Sequence, residues 1–312
     1  MQFINVVLAA DDNYAQHVSV VIASIMANTK QDVRFFLLSN DISEKKLNLL
    51  CGTANSLGAI INVIDLTKYD KFNNLYTSGH ISKTAYFRID IANILPNDVK
   101  KIIYLDVDLL VLDDINKLWN FDMKSYPVAA VADYGIMASK RLRAQKQNCI
   151  GFDNNISYFN SGVMIFNLSL WRKYDYAEKV LQLAYNSNFR HHDQDALNKI
   201  FKGNWGHLPL RWNVIPPVYN LHFKVVFNKI FRKNAVEAKN NIAILHYAGR
   251  YKPWEFVEYD LFNKKYYEYL DMTKFKDFPM PQPSKNMKGK SIIRQLIRAK
   301  FANILCKIFA CL

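Results

Sequence analysis

The chain has 312 residues, half of them hydrophobic and 22% charged, so a large core can be buried and a disordered chain is excluded. Its net charge is +14, from 41 Lys and Arg against 27 Asp and Glu, which calls for an anionic partner: nucleic acid, an acidic membrane face or a phosphorylated substrate. Four scattered cysteines, Cys51, Cys149, Cys306 and Cys311, exclude a disulfide scaffold and a zinc knot and fit reduced thiols.

Residues 3–10 are apolar and β-branched, and no basic stretch precedes them, so they read as a buried first strand rather than a signal peptide. Residues 14–28 carry apolar side chains at helical spacing, and 33–39 form a second strand. Ser43 is the expected N-cap of the next helix. A third strand follows over 59–66, a helix over 80–95 and a fourth strand over 101–105. Such alternation predicts an α/β fold, a Rossmann-like, mostly parallel sheet with helices on both faces. Ligands of such sheets gather at the carboxyl ends of the strands. No apolar run is long enough to cross a bilayer.

Beyond Lys252 the texture changes. Pro253, Pro279, Pro281 and Pro283 punctuate an aromatic-rich stretch, which divides the chain into a catalytic domain, 1–278, and a linker with a basic amphipathic helix, 279–312. Ile292, Ile293, Leu296, Ile297, Phe301, Ile304, Leu305, Ile308, Phe309 and Leu312 form one helical stripe. Residues 278–312 contain seven Lys or Arg and no acid, half of the net charge. This pattern predicts contact with an anionic membrane surface through 285–312. It disfavours nucleic acid, which needs basic residues spread along a groove.

Several clusters have the residue types that catalysis requires. Asp106-Val107-Asp108 ends the fourth strand, where carboxylates at i and i+2 point to one side and suit Mn²⁺ or Mg²⁺ beneath a diphosphate. A solvated turn is the plainer alternative. Asp11-Asp12-Asn13-Tyr14 stands after the first strand, at the nucleotide position of a doubly wound sheet but without its glycine motif. The carboxylates there would hold a ribose or base edge and the tyrosine would stack, or the aspartates simply cap the helix. His246 closes a strand-like run over 242–247, followed by Gly249 and Lys252; it is a third metal ligand or a core histidine. His192-Asp193-Gln194-Asp195 is either an acidic helix start or a polar cluster facing a sugar. Asn160, in a small-residue break before a strand, would bind a hydroxyl or cap a turn. Arg88 would meet a phosphate or lie solvated on its helix.

These segments occur together and in order, and over roughly residues 3–255 they resemble family 8 retaining glycosyltransferases, most closely bacterial lipo-oligosaccharide α-galactosyltransferases. The resemblance implies a GT-A fold, a UDP-sugar donor and Mn²⁺, with Mg²⁺ as second choice. It implies metal ligands at Asp106, Asp108 and His246. Ala9, Asp11, Asn13 and Tyr14 fall in its nucleoside site, and Arg88, the Val107 backbone, Gly249 and Lys252 around the donor. Asp133 and Asn160 lie near the donor sugar, Gln194 beneath the anomeric carbon between Asp193 and Asp195, and His80 on the acceptor side. The expected reaction moves a hexose, galactose before glucose, onto a saccharide of lipopolysaccharide or lipo-oligosaccharide, at the inner face of the cytoplasmic membrane. A UDP-glucose-dependent enzyme acting on another glycan or glycoprotein is the alternative. The strand before Asp106 also looks like the nucleophile strand of haloacid-dehalogenase-like phosphatases, and a non-catalytic sugar-binding module is the remaining rival. Ala248, Arg250-Tyr251 and residues 211–217 depart from the galactosyltransferase pattern, so the acceptor is left open.

Overall fold

The computed structural model of the chain describes residues 3–72, 84–151, 156–187, 189, 191–249, 252–255 and 262–277, with positions 297, 300, 301 and 304. His80, Arg250-Tyr251, the 279–290 linker and most of the basic tail lie outside the described residues.

Strand β1 (Ile4–Asp11) is followed by helix α1 (Ala15–Asn28), β2 (Val33–Asn40), α2 (Glu44–Ser56) and β3 (Ile60–Asp65). Then come α3 (Thr84–Ile94), β4 (Lys101–Leu105), β5 (Leu109–Val111), α4 (Asn116–Trp119), β6 (Val128–Ala132), α5 (Tyr134–Met137), α6 (Lys140–Ile150) and β7 (Phe159–Asn167). The order ends with α7 (Leu168–Lys173), α8 (Tyr176–Tyr185), α9 (His192–Phe201), β8 (Gly206–His207), α10 (Pro216–Tyr219), α11 (Phe223–Val226), α12 (Lys229–Asn240), β9 (Ile244–His246) and α13 (Asn263–Leu270).

The main sheet runs β3-β2-β1-β4-β7-β6-β8. Its pairings are parallel except those of β7, which runs antiparallel to both β4 and β6. Strand alternation feeds two cores. Val6, Leu8, Ile103 and Leu105 pack with α1 and α10–α13, whereas Val7, Ala9, Ile102 and Tyr104 pack with α3 and α7–α9. The predicted α/β sheet with helices on both faces is therefore the observed one, a GT-A-like arrangement in a mixed sheet.

The third strand forms as predicted; among the described residues it is an edge strand beside β2, with Ile60 and Val63 exposed. Ser43 takes the predicted N-cap position of α2, where its carbonyl accepts from Leu47 N–H at 2.9 Å, but its side chain caps nothing; its amide and hydroxyl both donate to Asp12 Oδ1, at 3.0 and 2.7 Å. The small-residue segment Asn160-Ser161-Gly162 lies inside β7 rather than before it.

The carboxyl end of α3 is held by a side chain from across the fold. Arg172 Nε donates to Ala92 O at 2.8 Å, and its terminal nitrogens donate to Val99 O at 2.8 Å, Pro96 O at 3.1 Å and Leu95 O at 3.2 Å. Carbonyls at a helix end have no partner within the helix, and a cation there also meets the negative pole of the dipole. Arg172→Met should cost about 2 kcal/mol of stability, read as a lowered urea midpoint with unchanged slope; a shift below about 0.5 kcal/mol would show the contacts to be incidental.

Candidate active site

The Asp106-Val107-Asp108 segment joins β4 to β5 and is fixed at both ends. Asp106 N–H donates to Gly162 O on β7 at 2.8 Å, and Tyr247 N–H donates to Asp108 O at 2.9 Å. β5 forms a separate two-stranded sheet with β9, and Leu109 faces His246 in its register. That pairing delivers the imidazole to the two carboxylates. His246 Nε2 is 3.1 Å from Asp108 Oδ1 and 3.9 Å from Asp106 Oδ2, and one donor atom from each of the three residues lies within 4.8 Å of the others.

The His246 ring is oriented by its neighbours. Asn213 Nδ2 donates to Asn160 Oδ1 at 2.8 Å, which leaves Asn213 Oδ1 facing His246 Nδ1, also at 2.8 Å. Its Nε2 is thereby aimed at the two carboxylates. Two oxygen donors and an oriented imidazole fit a divalent metal ion. Partial burial works against ionisation of Asp108, but Lys252 and His246 together hold its carboxyl well below the usual range.

Gly162 makes this convergence sterically feasible. A Cβ at that position would stand 2.4 Å from His246 Cε1 and 2.7 Å from Asp106 Oδ2. Arg88 approaches from the other side. Its Nη2 donates to Asp106 Oδ1 at 2.7 Å and its Nη1 to Ser161 O at 2.7 Å; Nε lies 3.2 Å from Asp193 Oδ2. The guanidinium also lies 4.6 Å over the Tyr104 ring. Burial opposes its charge, but Asp106 and Asp193 outweigh that and raise its pKa. Arg88 is therefore neither solvated nor free; it organises two carboxylates. Lys252 Nζ donates to Asp108 Oδ2 and to Tyr247 O, the latter at 2.8 Å. Gly249, at φ +99°, turns the loop between His246 and Lys252 in a conformation that favours glycine.

Asp106, Asp108, His246, Arg88, Gly249 and Lys252 line one cavity of about 900 Å³. Asp133, Asn160, Asp193 and Gln194 also line it. Gln194 is held by its whole amide. Its Oε1 accepts from Ser161 N–H at 3.0 Å, and its Nε2 donates to Tyr158 Oη at 3.1 Å and Asp133 Oδ2 at 3.3 Å. Asp195 is placed differently. It is fully buried outside the cavity lining, with Lys146 Nζ at 2.5 and 2.6 Å and Tyr158 Oη at 2.6 Å. Burial resists its charge, but Lys146 and Tyr158 prevail and lower its pKa. It acts as an anchor between α6, β7 and α9.

Ala9, Ala10 and Tyr14 line the end of the cavity beside β1, and Val107 lies between the metal-site aspartates. Asp11, Asp12 and Asn13 do not line it. Asp11 accepts from Asn13 N–H at 3.1 Å, and Asp12 is spent on Ser43 and on Lys46 Nζ at 2.6 Å. Asp11 thus caps the short turn over Asp12–Tyr14, whereas Asp12 ties that turn to α2. Tyr14 is set by an aromatic group: its ring lies edge-on to His17 and Trp254, which stack at 3.7 Å. His17 Nδ1 is 2.6 Å from Tyr266 Oη on α13. Asn213, Ser161, Tyr158, Lys146, His17 and Tyr266 do not stand out in the sequence, since their partners lie far away in the chain and no spacing rule joins them.

The sequence model described as glycosyl transferase family 8 matches residues 5–258. General stress protein A of Bacillus subtilis is 33% identical over 287 residues, covering 90% of this chain and 97% of that protein. The lipopolysaccharide 1,2-glucosyltransferase of Escherichia coli K12 is 26% identical over 80% of this chain and 72% of its own length. Among solved structures, the galactosyltransferase LgtC in complex with donor and acceptor sugar analogs superposes with a TM-score of 0.75 at 27% identity, covering 89% of this chain and 98% of LgtC.

Two measurements test this geometry. Gly162→Ala should weaken Mn²⁺ binding by roughly 10–100-fold in calorimetry, because the methyl displaces His246 and Asp106; wild-type affinity would refute the packing account. His17 is buried, and burial, with Lys252 adding to it, pushes its pKa down from 6.5 to about 3. The depressed value means stability is complete above pH 6.5 and falls with acidification, by up to about 1.4 kcal/mol per pH unit until pH 3. Between pH 7.5 and 4.5 the wild type should therefore lose about 2–3 kcal/mol more than His17→Gln in urea unfolding; parallel losses would contradict this.

Proposed function

The chain belongs to glycosyl transferase family 8, and from that premise we propose that it is a retaining hexosyltransferase acting on a UDP-sugar. The donor is UDP-galactose, with UDP-glucose as the second reading because the Escherichia coli relative is a glucosyltransferase. The acceptor is a saccharide of lipopolysaccharide or a related glycan. The observation that carries this reading is the convergence of His246 Nε2 on Asp106 and Asp108 beside Lys252, in a cavity that also presents Gln194.

Asp106, Asp108 and His246 would hold a divalent cation, Mn²⁺ before Mg²⁺, which when bound supplies Lewis-acid stabilisation of a departing diphosphate. Lys252 adds positive charge at the same carboxylate. Tyr14 stacks on the base, and Asp133 and Asn160 take sugar hydroxyls. During transfer the bond from the anomeric carbon to the phosphate oxygen breaks. A bond to the acceptor oxygen forms on the same face, and the acceptor's proton passes to the leaving phosphate oxygen. Gln194 lies under the reacting carbon with its amide fully hydrogen-bonded, and an amide is a weak nucleophile. Asp193 neighbours it but is held by Arg88 and Ser161 Oγ, and Asp195 is locked by Lys146. This arrangement favours front-face attack over a glycosyl-enzyme.

No helix among the described residues is long and apolar enough to cross a membrane. The basic tail serves as a peripheral anchor to the inner face of the cytoplasmic membrane. Ile297, Phe301 and Ile304, which are described, are helical and exposed.

Release of UDP from a panel of UDP-sugars, with Mn²⁺ and with lactose or glucose-terminated acceptors, tests the proposal. Asp108→Ala should lower turnover by at least about 100-fold, and NMR of the product should show an α-linkage from the α-linked donor. Turnover at the wild-type rate in Asp108→Ala would remove the metal assignment, and a β-linked product would remove retention.

A further inference from the structure

Two acid-free segments together carry as many cations as the net charge of the chain. One is 278–312, with seven cations. The other is 196–236, which contains Lys199, Lys202, Arg211, Lys224, Lys229, Arg232 and Lys233 and no Asp or Glu. Setting these 14 aside leaves 27 Lys and Arg against 27 Asp and Glu, so the rest of the molecule is neutral. The second segment builds one wall of the cavity and continues away from it. Ile215, Pro216 and Pro217 line the cavity, and His222 N–H donates back to Pro217 O at 2.9 Å, so α11 starts at that rim. α12 is fastened to the same rim through α5: Asn234 Nδ2 donates to Tyr134 Oη at 3.0 Å, and Phe231 packs edge-on against Tyr134 at 4.9 Å.

The corner between α11 and α12 exposes apolar side chains. Phe223, Phe227 and Ile230 are 45%, 65% and 73% exposed. The turn is held rigidly, since Asn228 Oδ1 accepts from Ile230 N–H at 3.1 Å and Phe231 N–H at 3.3 Å. Lys224, Lys229 and Lys233, interleaved with them along α11 and α12, are exposed too, and Lys224 lies over the Phe223 ring. Exposed apolar side chains interleaved with lysines on a rigid corner match the chemistry of an anionic lipid interface, where the rings enter the acyl boundary and the ammonium groups meet headgroups. Charge complementarity excludes a like-charged second copy as the natural occupant.

We propose that the α11–α12 corner, through Phe223, Phe227 and Ile230, docks on an anionic bilayer and so brings the cavity rim to the membrane surface. This contact is separate from the tail. It also stands apart from the transfer chemistry, because binding is read without turnover.

The full-length chain is floated with vesicles of phosphatidylcholine and phosphatidylglycerol at 7:3. Phe227→Ser with Ile230→Ser should lower the partition coefficient at least tenfold at an unchanged unfolding midpoint, and Lys229→Glu with Lys233→Glu should do the same at low salt. Ile60→Ser, at an exposed apolar site on β3, should leave partitioning unaltered. Ile297→Ser with Phe301→Ser reports the tail separately. Three results overturn the proposal: partitioning of the corner variant within twofold of wild type, an equal loss in Ile60→Ser, or sedimentation without lipid showing a wild-type dimer that the corner variant converts to monomer.

Discussion

An imidazole nitrogen held against two carboxylates is the arrangement on which the rest of the site depends. It arises from backbone pairing: β5 and β9 form a ladder outside the main sheet, and Leu109 opposite His246 fixes the register. A slip of one residue would turn His246 away from Asp108 altogether. Asn213 then fixes the ring's orientation, and Asn160 fixes Asn213. The chain thus commits buried hydrogen bonds to aiming one ring nitrogen at two carboxylates.

The surrounding residues follow from that commitment. Gly162 lacks a side chain because the ring and Asp106 occupy its space. Arg88 lies buried under the floor of the site because Asp106 and Asp193 need a shared counter-charge. Tyr158 ties the amide of Gln194 to the Asp195–Lys146 pair, so Gln194 inherits the rigidity of an ion pair buried between α6 and α9. A buried pair of this kind contributes little net stability but is expensive to break.

The sheet and its two covered faces were legible from alternating apolar strands, and the Asp106 and Asp108 pair from carboxylates two residues apart at a strand's end. Tyr14 and Gln194, marked by position at such ends, line the cavity. The contacts of Asp11 and Asp12 were not legible, because an aspartate after a strand serves a helix cap and a ligand equally well; Asp11 caps the turn over Asp12–Tyr14, and Asp12 binds Ser43 and Lys46. Asn160-Ser161-Gly162 read as a break because small residues weaken strand propensity; the structure keeps the strand, since two flanking strands supply the ladder and the small side chains leave room for Arg88 and His246. Lys146 and Asn213 were silent, because nothing in the surrounding sequence marks a residue whose partner is 49 or 33 positions away.

The hydrogen bonds from Gln16 and His17 to Tyr266 span about 250 residues. They join the first helix of the fold to its last described one, across the face where Tyr14 is positioned. During synthesis the amino-terminal strand and helix emerge long before their partner exists, and closing so large a loop is slow. The cavity wall that carries Tyr14 is therefore completed only after α13 has been made, so the order of synthesis sets the order in which the two ends of this wall can meet.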